Sequence, residues 1–326
     1  MRGRTLVRVL GVAGLLLAAI AGRAGAASDV LAPGIQLYDA RRFEEARKFF
    51  EPYAAKNPKD ADAALYLGRT LFALKKTEPA AEWLEKAAIL APRRSDVYLW
   101  LGRAYGQAAV GASVFHQPGL AKKTKAAWEK AVALDPNNLD ARDSLIQFYL
   151  MAPGFMGGGV DKAREQAAEI RKRDAIRGHL ASVTIAFDQK DTAAAERELK
   201  VAIQEAPADP RARLSLALLY QEQEKWTAAF DTLETLLKAD GDNYDALYQV
   251  GRAGALSGQR LDRAEECLKR YLGRAPGPQS APLANAHFRL GQVYEKKGSK
   301  AQARAEYQAA LKLDANLKEA KEALAK

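Results

Sequence analysis

Few residues in this sequence have the types and spacing that chemistry requires. The stretch FYLMAPGFMGGGVDKAREQA, residues 148–167, packs glycine and proline densely and then turns helical. Gly154 and Gly159 have the separation of the two glycines in a phosphate-cradling Gly-x4-Gly-Lys-Ser/Thr loop. Val160 and Asp161 stand where lysine and serine belong, and the preceding ARDSLIQFYL has helical rather than strand periodicity. Asp161 would also place its own carboxylate at the positive end of the next helix. Nucleotide chemistry is therefore not expected here. The three histidines, His116, His179 and His287, lack metal-ligand spacing and are expected at the surface or partly packed. Cys267, the lone cysteine, has no intrachain disulfide partner and sits in the helical pattern RAEECLKRYL, as a small core or groove residue would. No Gly-x-Ser-x-Gly elbow and no Cys–His pair occurs. The sequence thus predicts no catalytic residues, no cofactor-binding residues and no metal site.

The elements around these residues are repetitive. Stops recur at Pro58, Pro92, Pro136, Pro207, Gly241, Pro276 and Ala315, with Pro58 and Pro92 34 positions apart. Ten residues after several stops stands a glycine, as in LYLGRTLF (Gly68), LWLGRAYG (Gly102) and LYQVGRAG (Gly251), with Gly291 in FRLGQVYE. About twelve positions further comes an alanine: Ala46, Ala80, Ala195, Ala229, Ala264 or Ala303. Apolar residues three and four apart mark helices on either side. Small residues at fixed places let two helices approach closely, and the Pro or Gly stops the second. Each unit is a helical hairpin whose apolar face is completed only by the next unit.

These residues resemble the tetratricopeptide repeat family over nearly all of the chain after its first segment. The resemblance implies an all-α fold: a right-handed superhelical solenoid of about eight helix-turn-helix hairpins with a C-terminal capping helix. The repeats would span 27–60, 61–94, 95–138, 139–175, 176–209, 210–243, 244–278 and 284–317, with the cap at 318–326. Ile146 and Val183 occupy the small-residue position of repeats four and five, so register there stays open.

Two hairpins are longer than the pattern. Tyr149 to Ala163 is fourteen residues and Tyr105 to Thr124 nineteen, against about nine in an ordinary unit. The extra length is read as loops near 107–118 and 151–159. Both carry apolar residues that a solvated loop does not need: Val114 and Phe115, and Phe155 and Met156. Either they pack on each other and the helix ends, or they form a binding surface.

In the family the first helices line a concave wall, and the residue after the small one faces inward. The resemblance therefore implies candidate partner-binding residues at Arg69, Arg103, Gln147, Arg252 and Gln292, with Phe115, Phe155 and Met156 on the loops. Two alternatives stand. The arginines meet a carboxylate or peptide backbone of a partner, or they pair with Asp96 and Asp140 and stiffen the wall. The family's carboxylate-clamp pattern uses Asn where this chain has Arg, so its specificity is not carried over.

The first residues are a separate object. Arg2, Arg4 and Arg8 precede an apolar run from Val9 to Ile20 and a small-x-small site at Ala24-Gly25-Ala26. That pattern reads as a secretory leader over 1–26, cut before Ala27, with an uncleaved anchor as the alternative. No cysteine follows to carry a lipid, and nothing later is apolar for long enough to span a bilayer. The leader holds Arg2, Arg4, Arg8 and Arg23 and no acid, so its removal lowers the net charge from +10 to about +6. Basic residues interleave with acids, which speaks against nucleic acid. The expected protein is periplasmic or secreted. It is a non-enzymatic scaffold binding a protein or peptide segment, or else an accessory subunit of envelope polysaccharide or protein export and assembly machinery.

Overall fold

A computed structural model describes residues 30–113, 115–274 and 281–325. The leader, Val114, Pro276 and Lys326 lie outside them. Seventeen α-helices, one 3-10 turn and no strand occur among the described residues. They form hairpins of a first and a second helix: α1 Ala32–Asp39 with α2 Phe43–Lys56, α3 Ala61–Ala73 with α4 Thr77–Leu90, and α5 Ser95–Gly111 with α6 Gln117–Leu134. Then come α7 Leu139–Met151 with α8 Val160–Arg171, α9 Ala175–Asp188 with α10 Thr192–Glu205, and α11 Pro210–Glu222 with α12 Trp226–Ala239. The last are α13 Tyr244–Ser257 with α14 Leu261–Leu272, α15 Leu283–Lys296 with α16 Lys300–Leu313, and a final α17 Lys318–Leu324. The chain divides into two compact units, 1–141 and 142–326.

Local chemistry starts and stops these helices in a repeating way. Asp60 caps α3 by accepting from the N–H groups of Asp62 and Ala63 at 3.0 Å. Asn138, Asp174, Asp209 and Asn243 do the same for α7, α9, α11 and α13. At the hairpin turn one residue enters the left-handed region: Arg41, Lys75, Lys190, Glu224, Gly258 or Gly298. The next N–H then reaches back to an orphan carbonyl, as Lys76 N does to Leu71 O at 2.9 Å. The left-handed residue always stands seven after the small one: Gly68 and Lys75, Gly251 and Gly258, Gly291 and Gly298. By the same count Val183 pairs with Lys190, which fixes the register of repeat five.

The small residue admits the second helix. A Cβ on Gly102 would lie 2.4 Å from the Trp128 ring, and one on Gly251 2.2 Å from Leu268 Cγ. In repeat five, where the slot holds buried Val183, close approach has moved to Gly178. A Cβ there would meet Arg171 Cα of α8 at 2.4 Å.

Each unit is a nearest-neighbour stack. In the first, α1 to α6 each pack on the next, and α3 also touches α5. In the second, α8 to α17 do likewise, and α9, α11, α13 and α15 touch in a row. Among the described residues first helices touch one another within each unit and second helices make no comparable contact, so the first helices form the tighter, inner row. The core of the first unit joins Phe50, Leu67, Leu71, Leu84, Trp100 and Leu101. That of the second includes Phe230, Leu233, Leu247, Cys267, Leu268 and Tyr271.

Repeat three corrects the expected loop at 107–118. Its helices run 17 and 18 residues, against 13 and 14 for α3 and α4. Alanine and lysine are strong helix formers, so GQAAVG prolongs α5 and PGLAKK opens α6. Residues 112–116 alone remain between them.

Candidate partner-binding surfaces

The inner row of the first unit carries an alternating stack of cations and rings. Arg69 lies one residue past Gly68 on α3. Its guanidinium carbon sits 4.7 Å from the ring centroids of Tyr38 (α1) and Tyr66 (α3), and 4.8 Å from that of Trp100 (α5). Arg103 covers the same indole at 4.6 Å. Both arginines thus share the Trp100 ring, and cation–π attraction in this partly desolvated setting is worth about 1–2 kcal/mol per contact.

The two arginines differ in their anions. Arg103 Nη2 is 3.6 Å from Asp140 Oδ2. Asp96 does not pair with either; it is held by Arg94 at 2.6 Å, which also binds Asp62 at 2.5 Å. Those hydrogen bonds raise the Arg94 pKa well above its ordinary value, Asp96 contributing most. The half-buried Arg69 makes no ion pair, and its Nε–H is buried without an acceptor.

The inner row of the second unit is more fully paired. Arg252 Nη1 donates to Gln221 Oε1 at 2.5 Å, and its Nη2 lies 3.4 Å from Glu222 Oε1. Gln292 Oε1 accepts from Arg289 Nη1 at 2.7 Å. Burial lowers the Arg289 pKa, and the neighbouring Arg252 charge adds to the effect. Gln147 is exposed on α7. The structure therefore joins Arg69 with Arg103, and Arg252 with Arg289 and Gln292. Sequence reasoning missed Trp100 and Arg289. For Trp100 the signal was an aromatic three residues before an arginine in successive repeats: Tyr66 and Arg69, Trp100 and Arg103.

The loops present apolar side chains to solvent. Phe115 is 93% exposed in the first unit and Phe155 89% in the second, so neither packs on its own unit; Met156 is half-buried. The packing reading fails for both phenylalanines. The glycine loop is nonetheless rigidly built, with a 3-10 turn at Gly154–Met156 and Gly157 at φ 92°. The Gly157, Gly158 and Gly159 N–H groups donate to Gly154, Pro153 and Tyr149 carbonyls at 2.9, 3.2 and 2.8 Å. A Cβ on Gly158 would overlap Ala152 O. These N–H groups are already used, so the loop offers no nest for a phosphate.

The remaining chemistry-bearing groups are paired or buried. His179, expected near the surface, is 1% exposed on α9. Its two ring nitrogens each lie 2.9 Å from a carboxylate of α10, Glu198 and Glu205. His287 Nδ1 lies 2.7 Å from Glu306, and His116 Nδ1 bonds Ser113 Oγ at 2.8 Å. Burial pushes the Cys267 thiol up to about 11, which makes it inert. An open depression between α8, α9 and α10, about 390 Å³, is bordered by the Arg171–Glu198 ion pair. No group of three or more metal-ligating side chains occurs among the described residues, and no helix among them is long and apolar enough to cross a membrane.

Comparison with known proteins agrees with this architecture. Two models described as tetratricopeptide repeat match residues 37–104 and 186–253, and 284–317. The chain is 30% identical over 129 residues to the cellulose synthase operon protein C of Xanthomonas axonopodis pv. citri. That match covers 38% of this chain and 9% of the relative's length. The structure is similar to yeast Tom70 (17% identity, TM-score 0.66, 96% of this chain and 65% of that one). It is also similar to human IFIT1, solved as a dimer with m7Gppp-AAAA (18% identity, TM-score 0.51, 86% and 67%). Repeats, hairpin geometry and family models agree: the chain belongs to the tetratricopeptide repeat family.

Proposed function

We propose that this protein is a non-enzymatic interaction scaffold that holds a segment of a partner protein along its inner first helices. The observation that carries this is the Tyr66–Arg69–Trp100–Arg103 wall. It sets two partly exposed guanidinium groups against aromatic rings, with the Trp100 indole buried at their base. Rigid aromatics and guanidinium groups are the side chains that dominate protein recognition. The exposed Phe115 and Phe155 supply further contact surface in their respective units. Affinity recovery of partners from an envelope extract tests the reading, comparing the wild type with Arg69→Glu/Arg103→Glu. Loss of a specific partner supports it; identical recovery removes the wall from the function.

The match to a cellulose synthase operon protein favours a second reading, in which the scaffold serves envelope polysaccharide machinery. On that reading the leader pattern at residues 1–26 would carry the chain to the periplasm or outside the cell. Loss of surface polymer on deletion, restored by the wild type and not by the double charge reversal, is the result expected on that reading.

A further inference from the structure

The tip of repeat three combines exposed apolar side chains with charge of one sign. Val110, in the last turn of α5, is 81% exposed, and Phe115 in the turn that follows is 93% exposed. Local bonds order that turn with the ring held out. Gln117 Nε2 donates to Ala112 O at 3.1 Å, and Ser113 Oγ lies 2.8 Å from His116 Nδ1. The His116 and Gln117 N–H groups donate to Ser113 O at 2.9 and 3.1 Å. From residue 97 to 128 the sequence has no Asp or Glu, while Arg103, Lys122, Lys123 and Lys125 fall within it. No acid stands in the first turn of α6, where the helix dipole favours one. Lys125 pairs with Glu129 at 3.2 Å, and Lys123 reaches Glu85 only at 3.8 Å. Lys122 is exposed and makes no ion pair among the described residues.

We propose that this tip docks on the surface of an anionic lipid bilayer. Val110 and Phe115 enter the interface, and Lys122 and Lys123 meet the headgroup phosphates. Lys122 stands five residues after Gln117, the start of α6, so it lies about 7.5 Å along that helix from the tip. An interfacial apolar group sits about 5–10 Å into the boundary between headgroups and acyl chains. The lysines therefore stand at headgroup depth when the ring is in, and their flexible stems let the ammonium groups reach the phosphates. A protruding ring flanked by Gly111, Ala112 and Ser113 enters a deformable medium without a matching pocket. Both parts are needed, because one apolar anchor binds marginally and basic residues near an anionic surface add the second attraction. In the second unit the glycine loop of repeat four exposes Met151 and Phe155, but no charged residue occurs from 144 to 160. It has the apolar part alone. The proposal is separate from the reading of the inner wall.

The test mixes the purified full chain with vesicles of phosphatidylcholine, alone or with phosphatidylglycerol. A polarity-sensitive dye on Val110→Cys reports the tip, and the same dye on Ile89→Cys reports an exposed site on α4; buried Cys267 labels slowly. The expected result is a blue shift at position 110 with the anionic vesicles, none with the neutral ones, and none at position 89. Adding Phe115→Asp, or Lys122→Glu/Lys123→Glu, should raise the lipid concentration at half-shift about tenfold or more. Salt should weaken the shift of the parent more than that of the lysine variant. Circular dichroism checks that each variant is folded, and every substituted side chain is exposed. A leader gripping the vesicles would act alike in all variants and does not imitate this pattern. No shift with anionic vesicles, an equal shift with neutral ones, or a midpoint unmoved by both substitutions overturns the proposal. A shift on adding soluble envelope protein, with none on adding lipid, assigns the tip to a protein contact and overturns it as well.

Discussion

Gly251→Ala is a small change with a sign that depends on one neighbour. A Cβ at position 251 would lie 2.2, 2.5 and 2.8 Å from Cγ, Cδ2 and Cδ1 of Leu268. Ordinary carbon contacts are about 3.5–4.0 Å, so Leu268 must retreat by more than ~1 Å. It has nowhere to go, because Val250, Ala264, Cys267 and Tyr271 around it are fully buried. Overpacking of this kind costs about 1–3 kcal/mol, and alanine's helix propensity returns about 1 kcal/mol. The net effect is destabilisation by about 0–2 kcal/mol. Leu268→Ala alone should cost about 2–5 kcal/mol through lost burial and a cavity. In that background the clashing atoms are gone. Gly251→Ala should then stabilise by about 1 kcal/mol, from propensity and partial filling. Urea midpoints of the four proteins by far-UV circular dichroism, at unchanged m value, read the cycle. Equal effects of Gly251→Ala in both backgrounds would refute the claim that this glycine exists to admit Leu268.

Glu265 carries the clearest pH signature. Its carboxyl is held down at about 2 by Lys269, then Lys297. Its stabilisation is therefore full above the ordinary carboxylate range near 4.5 and lost as pH falls toward 2. The stability gap between the wild type and Glu265→Gln should close across that window; a constant gap from pH 7 to 2 would contradict the pairing. Cys267, buried and pushed to about 11, should label with a thiol reagent at pH 8 at least about a hundredfold more slowly than a free thiol, until denaturant opens the second unit. Stoichiometric labelling within minutes in native buffer would show that the core is open. Phe155→Asp should change stability by less than about 0.5 kcal/mol, since the ring is in solvent. A larger loss in thermal unfolding would mean that the ring packs.

The hairpins were legible because their signal is local and repeated. A glycine or alanine, a helix, and a Pro or Gly stop recur at one spacing, and each has its own steric reason. The inner position after the small residue was legible for the same reason. What lay hidden crosses repeats. The three rings around Arg69 come from α1, α3 and α5, and no single repeat shows them together. The burial of His179 was hidden because its partners, Glu198 and Glu205, lie on another helix, seven residues apart. The insertion in repeat three was misjudged by counting residues between landmarks and ignoring what alanine and lysine prefer. Phe115 and Phe155 could not be sorted by composition, since an apolar loop residue is equally suited to packing and to contact.

The central claim is that partners lie on the inner row of first helices and not on the outer second helices. The most direct measurement places a photoreactive residue at Gln147, exposed on first helix α7, and separately at Ile89, exposed on second helix α4, and crosslinks in intact cells. The account predicts a discrete partner adduct from position 147 and none from position 89. An adduct from position 89 alone, or equal adducts from both, would contradict it.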